Sequence, residues 1–192
     1  MPLPTRVSAR TLTTISGTPV PIPDPDCLIH LQFRRFAGCP VCNLHLRSIV
    51  RRHDEIIAAD IREVVVFHSS AEELRKYSAD LPFAVIADPT RKLYREFGVE
   101  SAPRALLDPR AWPAIVRAIA TELRAGRDKN HIAPPTNPEG GRLGLPADFL
   151  IAPDGRVLAT KHGEHADDQW SVDELLALAP TRAVLPAKKI AP

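Results

Sequence analysis

Residues 27–42 read Cys27-Leu28-Ile29-His30-Leu31-Gln32-Phe33-Arg34-Arg35-Phe36-Ala37-Gly38-Cys39-Pro40-Val41-Cys42. The first seven form a mostly apolar run, the pattern of a strand covered on both faces. Gly38-Cys39-Pro40 closes a turn, and a helical pattern then continues to about Ala59. Proline suits the first helical turn, where its missing N–H has no intrahelical partner to lose. The apolar stripe of this helix includes Val41, Leu46, Ile49, Val50, His53, Ile56 and Ile57. Cys42 precedes Leu46 by one turn and so lies near the buried stripe. Cys39 is expected at the open helix end, exposed.

Upstream, Thr11–Ile15 and Pro19–Ile22 flank Ser16-Gly17-Thr18, which predicts a short hairpin. Its prolines favour an edge. Downstream, strands are predicted at Ile61–Phe67 and Phe83–Ala87, and helices at Ser70–Tyr77 and Thr90–Phe97, the latter stopped by Gly98. Strands alternating with helices imply an α/β domain with a parallel-rich sheet. Trp112–Ala125 has helical composition, and the proline- and glycine-rich stretch 128–144 reads as a disordered loop or a lid, length favouring disorder. Phe149–Ile151 and Arg156–Thr160 flank Pro153-Asp154-Gly155, a hairpin signal. Ser171 and Glu174 make a capping box for a last helix to Leu178. The expected organisation is one domain over 11–178, an insertion at 101–145, and flexible termini at 1–10 and 180–192.

Composition narrows the function classes. The chain has 192 residues, 44% hydrophobic and 25% charged, enough for one core without metal or disulfide staples. Its 25 Lys and Arg against 23 Asp and Glu leave a net charge of +2, so no broad basic field for nucleic acid is expected. No run approaches the ~18 apolar residues of a membrane-spanning helix. The start, Met1-Pro2-Leu3-Pro4-Thr5-Arg6, has no apolar h-region. The expected compartment is the cytoplasm, where a cysteine pair more often does chemistry or binds metal than staples a fold.

Cys39-Pro40-Val41-Cys42 is the sharpest chemical feature. Unpaired N–H groups at a helix start favour a thiolate, and Arg34 and Arg35 just before it would add positive potential. A second sulfur three residues on can close a disulfide. A structural zinc site would need four ligands, and the chain offers one such pair, with His45 and His53 separated by seven residues. An inert buried pair is the remaining rival, and redox chemistry is the favoured reading. Position assigns Cys39 as the attacking thiol and Cys42 as the resolving one. Cys27, inside a strand, is expected in the core. His30 is a core histidine or a proton-transfer group, and Asp148 a buried carboxylate able to assist proton transfer to Cys42.

The order of these parts resembles thioredoxin-fold proteins, in which a cysteine pair opens a long helix after the first core strand. The stretch Leu145-Pro146-Ala147-Asp148-Phe149-Leu150-Ile151-Ala152-Pro153-Asp154-Gly155-Arg156-Val157 looks like their second half. There the resemblance implies a cis proline facing the cysteines, and Pro146 is the candidate, lining a substrate groove together with Pro40. Residues 33–42 with Asp88-Pro89 and Leu93-Tyr94-Arg95-Glu96-Phe97-Gly98 resemble the peroxiredoxin-like AhpC/TSA family. Phe36 stands where that family carries threonine or serine, and Pro146 falls about where it carries an arginine. The resemblance implies a thioredoxin-like mixed sheet flanked by helices, with the N-terminal hairpin and a helix/loop insertion. It further implies a thiol-redox enzyme with no cofactor beyond its own redox-active disulfide. The substrate would be a protein or small-molecule disulfide, or a hydroperoxide reduced with Cys39 as peroxidatic cysteine. A thioredoxin- or glutathione-type dithiol donor would reset it. A non-enzymatic redox sensor is a further alternative, and a homodimer is compatible with the resemblance.

Overall fold

Strands and helices alternate from residue 28 onward, and the computed structural model, which describes residues 4–129 and 131–179, sets them into one mixed sheet. A separate hairpin comes first: β1 (Arg10–Thr13) pairs antiparallel with β2 (Pro19–Ile22). The sheet is built around β3 (Leu28–Arg34). On one side lie β4 (Ile61–Phe67) and β5 (Ala84–Ala87), parallel to it; on the other lie β6 (Ala147–Ile151) and β7 (Val157–His162), antiparallel. The spatial order is β5-β4-β3-β6-β7.

Both faces of the sheet are covered. The hairpin and α4 (Lys92–Glu96) bury one, through Val20, Ile22, Ile29, Phe33, Tyr94, Phe97 and Phe149. On the other face lie α1 (Pro40–Arg51), α2 (His53–Ala58), α3 (Ala71–Ser78) and α7 (Val172–Leu178), which pack Leu46, Ile49, Ile56, Leu74 and Leu175 against it. The capping box at Ser171 and Glu174 is present in full. Because successive strand residues point to opposite faces, β3 divides sharply. Ile29, Leu31 and Phe33 enter the aromatic core, whereas His30, Gln32 and Arg34 lie buried beneath α1.

Four expectations need correction. The single long helix is two: the backbone breaks at Arg52 (φ −118°, ψ 20°). Ile49 and Ile56 stay fully buried on either side of the break, whereas Val50 and Ile57, expected in the same apolar stripe, are exposed. The described part of the N-terminal arm is not loose. Val7 is buried and its N–H donates to Gly155 O, while Val157 N–H donates to Thr5 O, so the arm is zipped to the 153–157 turn. The first three residues and the expected flexible tail 180–192 lie outside the described residues.

The insertion has the expected helix at Trp112–Ala125, but its 128–144 stretch is held in place where described rather than disordered. It forms α5 (Arg104–Leu107), a 3-10 turn (Pro109–Ala111) and α6 (Trp112–Ala125), followed by a strap that returns to the sheet. The strap is held by Arg91 donating to Gly140 O, by Ser70 N–H donating to Glu139 Oε2 at 2.8 Å, and by Arg142 donating to Thr136 O at 2.6 Å. Finally, Pro146 is trans; the cis peptide among the described residues is Ile22–Pro23. Leu145 N–H donates to Glu100 O and Pro146 O accepts from Gly163 N–H, so ordinary trans geometry leads straight into β6.

Candidate functional site

The cysteines occupy the junction of β3 and α1. Gly38 turns the chain there with φ +73°, and a Cβ at that position would come within 2.7 Å of the Tyr77 ring. Only glycine fits both demands. Ser69 Oγ holds the turn by accepting the Ala37 N–H at 2.9 Å. Cys39 is the N-cap of α1, its Sγ accepting from Cys42 N–H at 3.4 Å, and Pro40 follows in the first turn. One helical turn brings the two sulfurs to 2.7 Å.

Cys39 is not exposed, contrary to the reading from position. Both cysteines are buried, beneath the insertion. Ala111, Ala114 and Ala118, one face of the 3-10 turn and α6, pack on Phe36, Cys39, Val41 and Cys42, with Ala166 closing the side. Small side chains at helical spacing let α6 lie close over the sulfurs. This alanine spacing was readable in the sequence, but what it would cover was not.

The two arginines separate. Arg34 points under α1 and is buried, donating to Asp148 Oδ1 and Gln32 Oε1, both at 2.6 Å. It gives the cysteines no direct support. Arg35, one residue on, turns the other way and lies beside both sulfurs. Burial opposes charge on either sulfur, but the shared proton, the Arg35 guanidinium and the helix N–H groups counter it. The pair behaves as a unit. Its first proton leaves more readily than that of a free thiol, and the second is held above the ordinary range. Cys27 lies apart, and burial with nearby Asp24 pushes its thiol up to about 11.

Behind α1 lies a polar network whose members sequence reading assessed singly, if at all. Strand register aligns Glu63, His30, Gln32 and Asp148 on one face of β4, β3 and β6. His30 Nδ1 lies 2.9 Å from Glu63 Oε2, and its Nε2 lies 3.2 Å from Asp148 Oδ1. Gln32 bridges Glu63 and Arg34, and Arg34 also meets His45 Nε2 at 3.2 Å. Burial works against a charged His30, but Glu63 and Asp148 outweigh it and raise its pKa to about 9. Asp148 is itself desolvated, yet Arg34 and His30 hold it well below the usual carboxylate range. It is therefore a locked carboxylate rather than the proton shuttle envisaged for Cys42. Pro146 is buried against Gly163.

Clefts open near the turn before Cys39 and near Cys27. One of about 360 Å³ opens beside Ala37, bounded by Ser69, Glu73 and residues 135–139. Another of about 970 Å³ lies by Cys27, between the 14–20 turn, α2 and residues 78–85, away from the redox pair.

Comparison with known proteins agrees with this architecture. The structure of peroxidoxin BcpB from Mycobacterium tuberculosis superposes with a TM-score of 0.64 at 17% identity, covering 94% of this chain and 96% of that one. Peroxiredoxin Q from Xanthomonas campestris gives 0.58 at 15% identity, over 88% of this chain and 87% of that one. StoA from Bacillus subtilis gives 0.55 at 16% identity, over 92% and 100%. At such identities these likenesses establish the thioredoxin-like fold. No curated protein matches the sequence. A family model described as AhpC/TSA antioxidant enzyme matches residues 48–165, beginning in α1 six residues after Cys42, so the roles of the cysteines rest on the geometry above. With that match spanning more than half of its length, the chain belongs to the AhpC/TSA antioxidant enzyme family, thiol-redox oxidoreductases on a thioredoxin-like fold.

Proposed function

We propose that the protein reduces a small hydroperoxide with the Cys39–Cys42 dithiol. The observation that carries this reading is the pair itself: two sulfurs 2.7 Å apart at a helix start, beside Arg35 and sealed by α6. A seal of alanines excludes a protein disulfide more strongly than a peroxide, and the cleft at Ala37 gives a small molecule a route to the turn. Cys39 thiolate attacks the terminal oxygen of the hydroperoxide, and the O–O bond breaks. Cys39 becomes a sulfenic acid, and the alkoxide leaves as alcohol after taking up a proton. Cys42 thiolate attacks the sulfenic sulfur, hydroxide departs as water with a second proton, and the disulfide closes. The dithiol has then given up two electrons, which an external thioredoxin- or glutathione-type dithiol returns. A reducing cytoplasm is the proposed compartment.

Disulfide reduction is the second reading, favoured by Phe36, which offers the peroxide no hydroxyl donor three residues before Cys39. Stopped-flow oxidation of the reduced protein by hydrogen peroxide and an organic hydroperoxide separates the two. Oxidation faster than a free thiol of matched thiolate fraction, with sulfenic acid trapped in Cys42→Ser, is the expected result. A rate no better than the free thiol, with brisk reduction of a model disulfide, moves the assignment to the second reading.

A further inference from the structure

α6 has two apolar faces. The inner one, of alanines, covers the cysteines. The outer one carries Trp112, Val116, Ile119 and Leu123 in water, at 57%, 64%, 53% and 72% exposure. Large apolar side chains outside and small ones inside reverse the ordinary pattern of a surface helix. Their spacings of four, three and four residues are those of a coiled-coil seam. The helix is about 21 Å long, so the four residues run nearly its whole length.

We propose that this outer face is a self-association surface, occupied by α6 of a second copy of the chain, antiparallel and about a two-fold axis. The stripe is symmetric about its own centre. An axis opposite the midpoint between Val116 and Ile119 sets Trp112 on the second copy's Leu123 and Val116 on its Ile119, and the reverse pairs follow. One patch thus complements itself in a single register, as a two-fold interface requires.

Charge supports the same register. Arg124 and Arg127, at the C-terminal end, make no ion pair among the described residues. At the N-terminal end Asp108 and Glu164 share one cation, Arg110, and Asp167 faces Arg117 at 4.0 Å, so that end keeps an excess of negative charge. The two-fold brings these ends together and sets Arg127 opposite the second copy's Asp108. Antiparallel helix dipoles also oppose favourably. Pairing there would back the helix that seals Cys39 and Cys42. The inference does not depend on what those cysteines reduce.

The test is sedimentation velocity of the full chain under reducing conditions across a concentration series, repeated with Cys39→Ser and Cys42→Ser combined so that no disulfide contributes. Both forms should pass from monomer to dimer with rising concentration. Val116→Glu and Ile119→Lys should each remain monomeric where the parent is dimeric. Mixed together they should form a one-to-one dimer, because each new charge meets the other. Both positions are more than half exposed, so each variant should unfold at the temperature of the parent. The parent series reports on association even if a variant fails to fold. A parent that stays monomeric throughout, a dimer that survives both substitutions, or folded variants that do not pair when mixed would each overturn the proposal.

Discussion

Arg35 is the residue on which thiol reactivity turns, since it is the buried cation beside both sulfurs. Arg35→Met should move the pH profile of cysteine alkylation upward by about one unit, slowing reaction at neutral pH about tenfold. An unmoved profile would leave the helix N–H groups as the sole source of acidity. Arg34, its neighbour, belongs to a different problem, the stability of a charged interior. His30 has a folded pKa raised to about 9, above its ordinary unfolded value near 6.5. Its stabilising contribution is therefore complete below pH 6.5 and is lost as pH rises through 9. The urea midpoint should fall over that window, and His30→Gln should flatten the dependence. Asp148 has the opposite sign: its depressed pKa stabilises the fold above about pH 4, and that contribution fades in acid. Asp148→Asn strips Arg34 and His30 of a buried partner and should cost about 3–5 kcal/mol in denaturant unfolding.

Among the elements, α6 controls access. Its seal depends on methyl-sized side chains, so enlarging one should part the helix from the cysteines. Ala118→Leu is expected to lose about 1–3 kcal/mol through overpacking. It should also raise the rate at which a bulky maleimide labels the thiols. Labelling at the parent rate would mean that α6 does not gate the pair. The helices under the sheet behave differently. α1 is fixed at its start by the Cys39 cap and at its end by the break at Arg52, whose side chain ties Glu55 and Asp173 across to α7.

For the molecule as a whole, stability should grade outward from β3. That strand is buried at every position and hydrogen-bonded on both sides, by β4 and β6. α5 and α6 pack through one face, largely of alanine, and leave the other to solvent. Native-state hydrogen exchange should therefore find the slowest amides in β3, β4 and β6. The α5–α6 segment should open at clearly lower free energy, in a sub-global step. Uniform protection across both would contradict a seal that opens independently of the sheet.

The sequence alone determined what neighbouring residues encode. Strand periodicity, the proline at the helix start and the capping box at Ser171 are local patterns, and they located the cysteine pair at a strand-to-helix junction within an α/β domain. Long-range packing decided the rest. The 128–144 stretch reads as a disordered loop or lid because its prolines and glycines say nothing of the strap contacts to Arg91 and Ser70. The burial of Cys39 depends on a helix some seventy residues downstream. Whether Arg34 or Arg35 reaches the sulfurs, and whether Asp148 is free to move a proton, depend on which partners the sheet register brings together. Spacing along the chain carries no information about such meetings; only the folded arrangement supplies it.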